Sequence, residues 1–365
     1  MNLNLIPAFL LIGCGEIKTQ NRTTDTSATA FDTASTDTDV SSGYDIPAFP
    51  NGVSTLAGSG AFSSMDGMGT EASFSEPKAI RMRNDGVLII ADSGTGAIRE
   101  LNLDGTVTTL QLTGPTPTTP SGLAIADDGS LYVSDYAAHC IYKISGNESS
   151  VFAGSCGNNG FQDGSAALFD LPRGLDLDAN GNLIVADAHN FRIRSIRPDG
   201  FVSTLAGTGE EFVGPSEGSV ESANIYIPFG VAVHSSGDVY LSGFDNCIRR
   251  ITDGRVENVA GLCQNYSNTG TDDGAPAEAR FDTPLDISFT PEGSLLVADC
   301  YNDRIRVLSA DQSRVDTVAG TSSGYLDGGI DEAKFDVPRS ITTDYAGNIY
   351  VADSVNMRIR VIRKD

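Results

Sequence analysis

Cysteine and histidine are the residue types in this chain best suited to bind a metal ion or to act as nucleophiles. The chain has six cysteines and three histidines. Four of the cysteines form two pairs whose members are 16 positions apart, Cys140 with Cys156 and Cys247 with Cys263. Paired zinc thiolates usually sit only a few residues apart. The spacing therefore argues against a zinc site and favours disulfide bonds, which persist in oxidising compartments outside the cytoplasm.

A fifth cysteine, Cys14, follows a short apolar run at the N-terminus. Residues 3–12 are too few to cross a bilayer as a helix, and they fit the apolar part of an export signal. The residues Leu11-Ile12-Gly13-Cys14 resemble the bacterial lipobox, and this resemblance implies cleavage before Cys14 and lipidation of its thiol. Because Gly15 rather than Asp follows the cysteine, the resemblance also implies an outer-membrane lipoprotein or cell-surface location in the bacterial envelope. The alternative is a chance cysteine in a frayed N-terminus.

Composition divides the chain into three parts. Residues 1–13 are predicted to form the lipoprotein-type signal peptide. Residues 14–48 are rich in Thr, Ser and Asp and offer little to bury, which predicts a disordered tether. Residues 49–365 are predicted to form the folded domain.

The folded part repeats one phrase six times. The phrase "GNLIVADAHNFRIRSI" at 181–196 recurs with small changes, and a degenerate copy begins at Gly237. Each copy consists of four short β-rich segments bounded by Gly or Asp-Gly turns, which we call strands a, b, c and d. In the third copy they are predicted at about 172–178, 181–187, 191–197 and 201–206. Four-stranded antiparallel units that recur along the chain in this way are typical of the blades of a β-propeller.

The two ends of the chain predict how the ring closes. The sixth copy stops at Asp365, just after its strand c, whereas an orphan strand d, "VSTLAG", lies at 53–58 before the first copy. Pairing this orphan with residues 358–363 covers an edge that would otherwise be open. The predicted fold class is therefore all-β, a six-bladed β-propeller whose N-terminal strand closes the last blade.

The repeated phrases resemble the NHL repeat family over about residues 52–365. The resemblance rests on the "AG" that ends strand d, on "GNLIVAD", on "RIR", and on the loops "DGSAALFDLP", "DGAPAEARFDTP" and "DGGIDEAKFDVP". It implies a six-bladed β-propeller. It does not imply one activity, because the family includes protein-binding, RNA-binding and enzymatic members.

Residues that recur once per blade are interpreted as structural. The Asp that ends strand b occurs at 92, 135, 187, 299 and 353, and strand c supplies an arginine partner in five blades: Arg99, Arg194, Arg250, Arg306 and Arg360. The Asp of each Asp-Gly pair is predicted to cap turn amides, at 66, 163, 273 and 327. The paired cysteines occupy the start of strand c and the end of strand d in blades 2 and 4, so we predict one disulfide within each of these blades. Cys300 is left without a predicted role.

A candidate ligand site lies where the d–a loops enter the innermost strands. Strand a, the innermost strand of each blade, begins with a proline that we call the leading proline. The residue after each leading proline is expected at the mouth of the central channel: Lys78, Ser121, Arg173, Phe229, Leu285 and Arg339. Three cations there, with Phe229 and Leu285 as an apolar wall, favour an anionic ligand such as a carboxylate or sugar acid. Their side chains are expected to face solvent. The alternative is that the cations only pair with nearby acids such as Glu76.

Charge and motif content favour a binding module over an enzyme. The net charge of −24 opposes contact with nucleic acid and with anionic lipid, apart from the predicted lipid anchor. His139 and His189 are expected in b–c loops and His234 at the opposite face, so no histidine cluster, metal site, catalytic residue or cofactor is predicted. We therefore predict a monomeric envelope protein that binds a protein, glycan or small anionic ligand. The alternative is a lyase- or lactonase-like enzyme with a metal-assisted site in the channel.

Overall fold

The computed structural model describes residues 44–211, 216–263 and 268–363. Within them the strands form six antiparallel sheets, which are the six blades of a β-propeller. The predicted signal peptide, Cys14 and most of the predicted tether lie outside the described residues. None of the short helical turns in the described part of the chain is long and apolar enough to span a bilayer.

The strands of the described residues are numbered in chain order. They are β1 (Gly52–Ala57), β2 (Gly67–Met68), β3 (Pro77–Met82), β4 (Leu88–Asp92), β5 (Ala97–Leu101), β6 (Thr106–Thr109), β7 (Pro120–Ile125), β8 (Leu131–Asp135), β9 (Cys140–Ser145), β10 (Glu148–Gly154), β11 (Pro172–Leu177), β12 (Leu183–Asp187), β13 (Arg192–Ile196), β14 (Val202–Ala206), β15 (Gly218–Ser219), β16 (Pro228–Val233), β17 (Val239–Gly243), β18 (Ile248–Thr252), β19 (Arg255–Ala260), β20 (Pro284–Phe289), β21 (Leu295–Asp299), β22 (Arg304–Leu308), β23 (Val315–Ala319), β24 (Pro338–Thr343), β25 (Ile349–Asp353) and β26 (Arg358–Arg363). Short 3-10 turns occur at Gly69–Glu71, Ala188–Asn190 and Cys300–Asn302.

The blades follow the predicted a–b–c–d order. Blades 1 to 5 run β3–β6, β7–β10, β11–β14, β16–β19 and β20–β23, and the short strands β2 and β15 extend blades 1 and 4 at their outer edges. Blade 6 combines β24, β25 and β26 with β1 from the other end of the domain. β1 pairs with β26, with Gly52 opposite Arg363 and Ala57 opposite Ile359. The predicted split blade is therefore confirmed.

The hydrophobic core lies between successive blades. Strand b is buried along its whole length in all six blades, as the strands β4, β8, β12, β17, β21 and β25 show. Because each blade is covered on both faces, strand b has a continuous apolar run such as "LIVA" instead of an alternating pattern. One cluster joins Tyr132 and Ile141 of blade 2 to Val185 and Ile196 of blade 3. Full burial of one such aliphatic side chain contributes about 1.5–3 kcal/mol.

In four blades a buried arginine of strand c forms ion pairs with two aspartates. One ends strand b, and the other lies in the d–a loop that leads into the same blade. In blade 3, Arg194 Nη1 lies 2.5 Å from Asp187 Oδ2 and Arg194 Nη2 lies 2.6 Å from Asp163 Oδ1. In blades 1, 5 and 6, the two aspartates at the equivalent positions form ion pairs with Arg99, Arg306 and Arg360. The Asp of each Asp-Gly pair therefore binds the buried arginine, and in addition a strand d threonine, instead of serving mainly as a turn cap.

Blade 4 departs from the predicted arginine. Arg250 pairs with Glu257 at 2.7 Å near the surface, whereas the buried guanidinium belongs to Arg249, which pairs with Asp245. The reason is a shorter b–c connection: Ser242 lies opposite Ile248, so the register of strand c moves by one residue relative to blade 3. The prediction of Arg250 was therefore wrong by one position. In blade 2, Tyr142 takes the arginine position by register, and the Asp135 carboxylate instead accepts hydrogen bonds from the amides and hydroxyls of two threonines.

Both predicted cysteine pairs are at bonding distance. The Cα atoms of Cys140 and Cys156 are 5.1 Å apart, and those of Cys247 and Cys263 are 5.2 Å apart. Each bond connects the start of strand c to the residues just beyond strand d of the same blade. Cys300 is buried and is not in a disulfide.

The chain enters the propeller at the face that carries the a–b turns. Tyr44 and Ile46, which belong to the stretch predicted as tether, pack against the core cluster between blades 6 and 1. The Tyr44 ring lies 6.2 Å from that of Tyr345, and a Cβ on Gly86 would collide with it. Because strand a runs from the mouth to this face, the entry point and the predicted ligand site lie at opposite ends of the channel.

Candidate functional site

The six residues that follow the leading prolines line a single pocket at the mouth of the channel. Its volume is about 230 Å³, below the range of about 300–1,000 Å³ that is usual for the pockets of drug-sized ligands, so the pocket suits only a small ligand. The lining includes all six predicted positions: Lys78, Ser121, Arg173, Phe229, Leu285 and Arg339. Sequence position relative to the repeat therefore brings together side chains from all six blades.

A backbone irregularity aims these side chains into the mouth. The pairing of strands a and b shifts register immediately after the leading proline in every blade, for example between Pro77 and Ala79 and between Pro338 and Ser340. A β-bulge leaves one residue out of the ladder and redirects its side chain. The repeated proline and the bulge together position one mouth side chain per blade.

Two of the three mouth cations share one carboxylate. Lys78 Nζ lies 3.2 Å from Glu76 Oε2, and Arg339 Nη2 lies 3.3 Å from Glu76 Oε1. The Arg339 side chain is only 5% exposed, so the expectation that the cations face open solvent is wrong for this residue. It is buried because ring closure places blade 6 directly beside the Glu76 loop of blade 1. Lys78 and Arg339 therefore pair with Glu76, as one alternative expected, and they also line the common pocket, as the other alternative expected.

The third cation is held flat by aromatic rings. The Arg173 guanidinium carbon lies 4.7 Å from the Tyr136 ring centre and 4.8 Å from that of Phe229. Cation–π contacts of this kind orient the guanidinium. Phe229 is itself 6% exposed and, with Leu285, forms the apolar side of the mouth.

The charge of the mouth is reflected in the pKa of Lys78. Burial, together with the Arg339 guanidinium, lowers this pKa to about 8, although Glu76 acts in the opposite direction. Three cations and one carboxylate therefore line the pocket entrance, and this local balance is opposite in sign to the −24 charge of the whole chain.

A neutral ion pair forms the floor of the pocket. Arg81 donates two hydrogen bonds to Asp286, at 2.8 and 3.0 Å, and Ser340 Oγ donates to the same carboxylate at 2.5 Å. Farther along the channel, burial raises the pKa of Asp176, which accepts the amide of Val233 at 2.7 Å. Our sequence reasoning missed Arg81 and Tyr136. The sequence did indicate that Arg81 is unusual. It is the fifth residue of its strand a, and this position holds a small or hydroxylated residue in four of the other five blades.

The histidines do not join this site. His139 Nδ1 accepts the amide of Leu171 at 3.0 Å and lies 3.4 Å from Asp170 Oδ1. His189 lies near the same aspartate, and burial lowers its pKa. His234 is at the opposite face, where its ring contacts Phe289. In the described residues no group of three His, Cys, Asp or Glu side chains is placed to hold a metal ion.

Comparisons with known proteins find an NHL repeat in the chain and several distant relatives. The NHL repeat model matches residues 169–194. The chain is 27% identical over 342 residues to Teneurin-m of Drosophila melanogaster, covering 81% of this chain and 12% of that protein. It is 27% identical over 266 residues to NHL repeat-containing protein 2 of Homo sapiens, covering 64% of this chain and 36% of that protein. The chain thus spans only a minor part of the length of these relatives.

Solved structures show the same architecture. An auxiliary nutrient binding protein from Bacteroides ovatus ATCC 8483 matches with a TM-score of 0.67 and 20% identity, covering 86% of this chain and 76% of that one. Virginiamycin B lyase from Staphylococcus aureus matches with a TM-score of 0.52 and 18% identity, covering 78% of this chain and 94% of that one. At these identities the likeness concerns the fold alone. The repeated phrases, the split blade and these relatives together make the chain a six-bladed β-propeller that contains an NHL repeat at residues 169–194.

Proposed function

We propose that this protein is an exported, non-enzymatic binding protein that holds a small ligand at the mouth of its central channel. The observation that carries the proposal is the pocket itself, where one side chain from each blade surrounds a cavity of about 230 Å³. A nutrient-binding description of a structural neighbour is consistent with ligand binding. In this proposal the ring of blades is a rigid frame, and the bulged residues provide specificity.

A ligand screen read out by thermal unfolding tests this function. A ligand that binds only the folded state raises stability by about 2.7 kcal/mol at 100 times its Kd, so a mouth ligand should raise the Tm. Ser121→Phe fills the pocket and should abolish the shift, whereas Ser150→Phe on the exposed outer strand of the same blade should preserve it. A hit whose Tm shift survives Ser121→Phe would place binding elsewhere and contradict the proposal.

The competing proposal is a lyase- or lactonase-like enzyme with a metal-assisted site in the channel. The two proposals differ in a measurable property of the purified protein, because such an enzyme holds a divalent metal near the channel axis. Elemental analysis of protein purified without chelators separates them. A stoichiometric divalent metal that is lost on Asp286→Asn, together with turnover of a ligand found in the screen, would favour the enzyme.

The proposed cellular location is the bacterial envelope, through a lipid on Cys14. The two cysteine pairs at bonding distance are consistent with an oxidising compartment. Because the chain enters at the face opposite the mouth, a tether from Cys14 would leave the pocket directed away from the membrane. Cys14→Ala is expected to move the protein from the membrane fraction to the soluble fraction, with Cys300→Ala as the matched control. Unchanged membrane association of the Cys14 variant would exclude the anchor.

A further inference from the structure

One edge of a buried guanidinium at the mouth lacks hydrogen bonds. Arg339 Nε and Nη2 are buried, and within the described residues neither makes a hydrogen bond. These two nitrogens form one side of the guanidinium fork, and carboxylates bind this side through two parallel hydrogen bonds. A buried donor without an acceptor is costly, so an unused edge of this kind marks a place where an acceptor belongs.

The carboxylate that forms an ion pair at this edge belongs to Glu76. Its carboxylate lies 3.3 Å from Arg339 Nη2 and 3.2 Å from Lys78 Nζ, yet the Arg339 contact does not have hydrogen-bond geometry. Glu76 is 31% exposed, whereas Arg339 is 5% exposed, so the acid is the partner with room to move. Glu76 therefore offsets the charge of Lys78 and Arg339 but accepts no hydrogen bond from Nε or Nη2 of Arg339.

The remaining side chains of the pocket suit a carboxylate with a compact apolar or ring-shaped body. Arg173 contributes a further positive charge and is already oriented by Tyr136 and Phe229. Phe229 and Leu285 provide an apolar surface beside the cations. The Asp286 carboxylate below is already paired with Arg81, so it does not add a free negative charge at the mouth.

We infer that the mouth binds a small carboxylate-bearing ligand, whose carboxylate displaces the Glu76 side chain and takes both free donors of Arg339. Glu76 is then an internal competitor that occupies the cations in the empty protein. This inference rests on the proposed binding function and specifies its ligand class. A sugar acid and an aromatic or aliphatic acid both contain this chemistry, and the experiment separates them.

The test uses two carboxylates and their neutral counterparts. Binding of D-glucuronate, D-glucose, benzoate and benzyl alcohol to the full chain is measured by calorimetry at neutral pH. At least one carboxylate should bind more than about tenfold tighter than its neutral counterpart. Glu76→Gln should tighten carboxylate binding by about tenfold, because two ion pairs no longer compete with the ligand. Glu71→Gln removes the same charge from an exposed position outside the pocket lining and should leave the affinity unchanged.

A second variant tests the donor edge. Arg339→Lys keeps the charge but loses the fork, and it should weaken carboxylate binding by more than about tenfold. Because Arg339 is buried, thermal melting is used to check that Arg339→Lys still folds. If Arg339→Lys does not fold, the Glu76→Gln variant decides the test.

The outcomes separate the ligand class from the function. Equal affinity for a carboxylate and its neutral counterpart, or unchanged or weaker carboxylate binding by Glu76→Gln, overturns the inference. Binding of a neutral ligand that Ser121→Phe abolishes would overturn the carboxylate class while preserving the binding function. Failure of both carboxylates to bind with Kd at or below about 1 mM overturns the inference, and failure of every ligand in the screen overturns the function as well.

Discussion

Replacement of Arg194 by methionine is expected to destabilise the propeller by about 3–5 kcal/mol, the usual cost of removing one partner from a buried ion pair. Its side chain is 0% exposed, as is that of Asp187, which would keep a buried carboxylate without its cation. The carbonyl oxygens of Gln162 and Leu168 would also lose their donors, now at 2.8 and 3.2 Å. Methionine preserves much of the volume, so the loss reports the charge network rather than a cavity.

The measurement is thermal and chemical denaturation of matched variants. At about 2 °C per kcal/mol, the value for large domains, Arg194→Met should lower the Tm by about 6–10 °C. Arg197→Met, three residues later and just beyond the end of β13, is the control. Its ion pair with Asp199 is 55% and 63% exposed, so its removal should cost about 0–1 kcal/mol.

Two further results make the reasoning refutable. Adding Asp187→Asn to Arg194→Met removes the orphaned charge and should restore part of the lost stability. Burial raises the pKa of Asp187 to about 6 even beside Arg194, and loss of the arginine should raise this pKa further. A carboxyl whose folded pKa exceeds its unfolded pKa favours the folded state more as pH falls, so the deficit of Arg194→Met should shrink between pH 7 and pH 5. A Tm loss no larger than that of Arg197→Met, or a deficit independent of pH, would refute the argument.

Three other expectations follow from the fold and the mouth. Deletion of residues 52–58 should lower the Tm far more than deletion of residues 18–43, because the first removes the strand that closes blade 6, and equal melting temperatures would contradict the closure. Peptide mapping without reduction should recover Cys140 linked to Cys156 and Cys247 linked to Cys263, and crossed pairs would exclude the register seen here. Carboxylate affinity should fall as pH rises through about 8, where Lys78 loses its proton, and Lys78→Arg should remove this dependence, which calorimetry at several pH values would check.

The amino-acid sequence alone determined the architecture of this protein. Each blade is a local unit whose turns and strands recur at a nearly constant period, so copy number and strand order could be counted without any long-range information. The missing strand d of the sixth copy and the orphan strand at 53–58 specified the closure, and the shared repeat positions of the cysteines specified both pairs. The proline at the start of strand a likewise located the mouth, because one residue per blade follows it.

Only the tertiary structure decided how the mouth residues act on one another. Glu76 and Arg339 are far apart in the chain and meet because ring closure joins blade 6 to blade 1, which also buries Arg339. Arg173 is sandwiched by rings from blades 2 and 4, and no local pattern encodes such a contact. The buried arginine of blade 4 depends on a register shift of one residue, which the irregular b–c connection produces. The repeat specifies positions within a blade, whereas contacts between blades depend on how the whole ring packs.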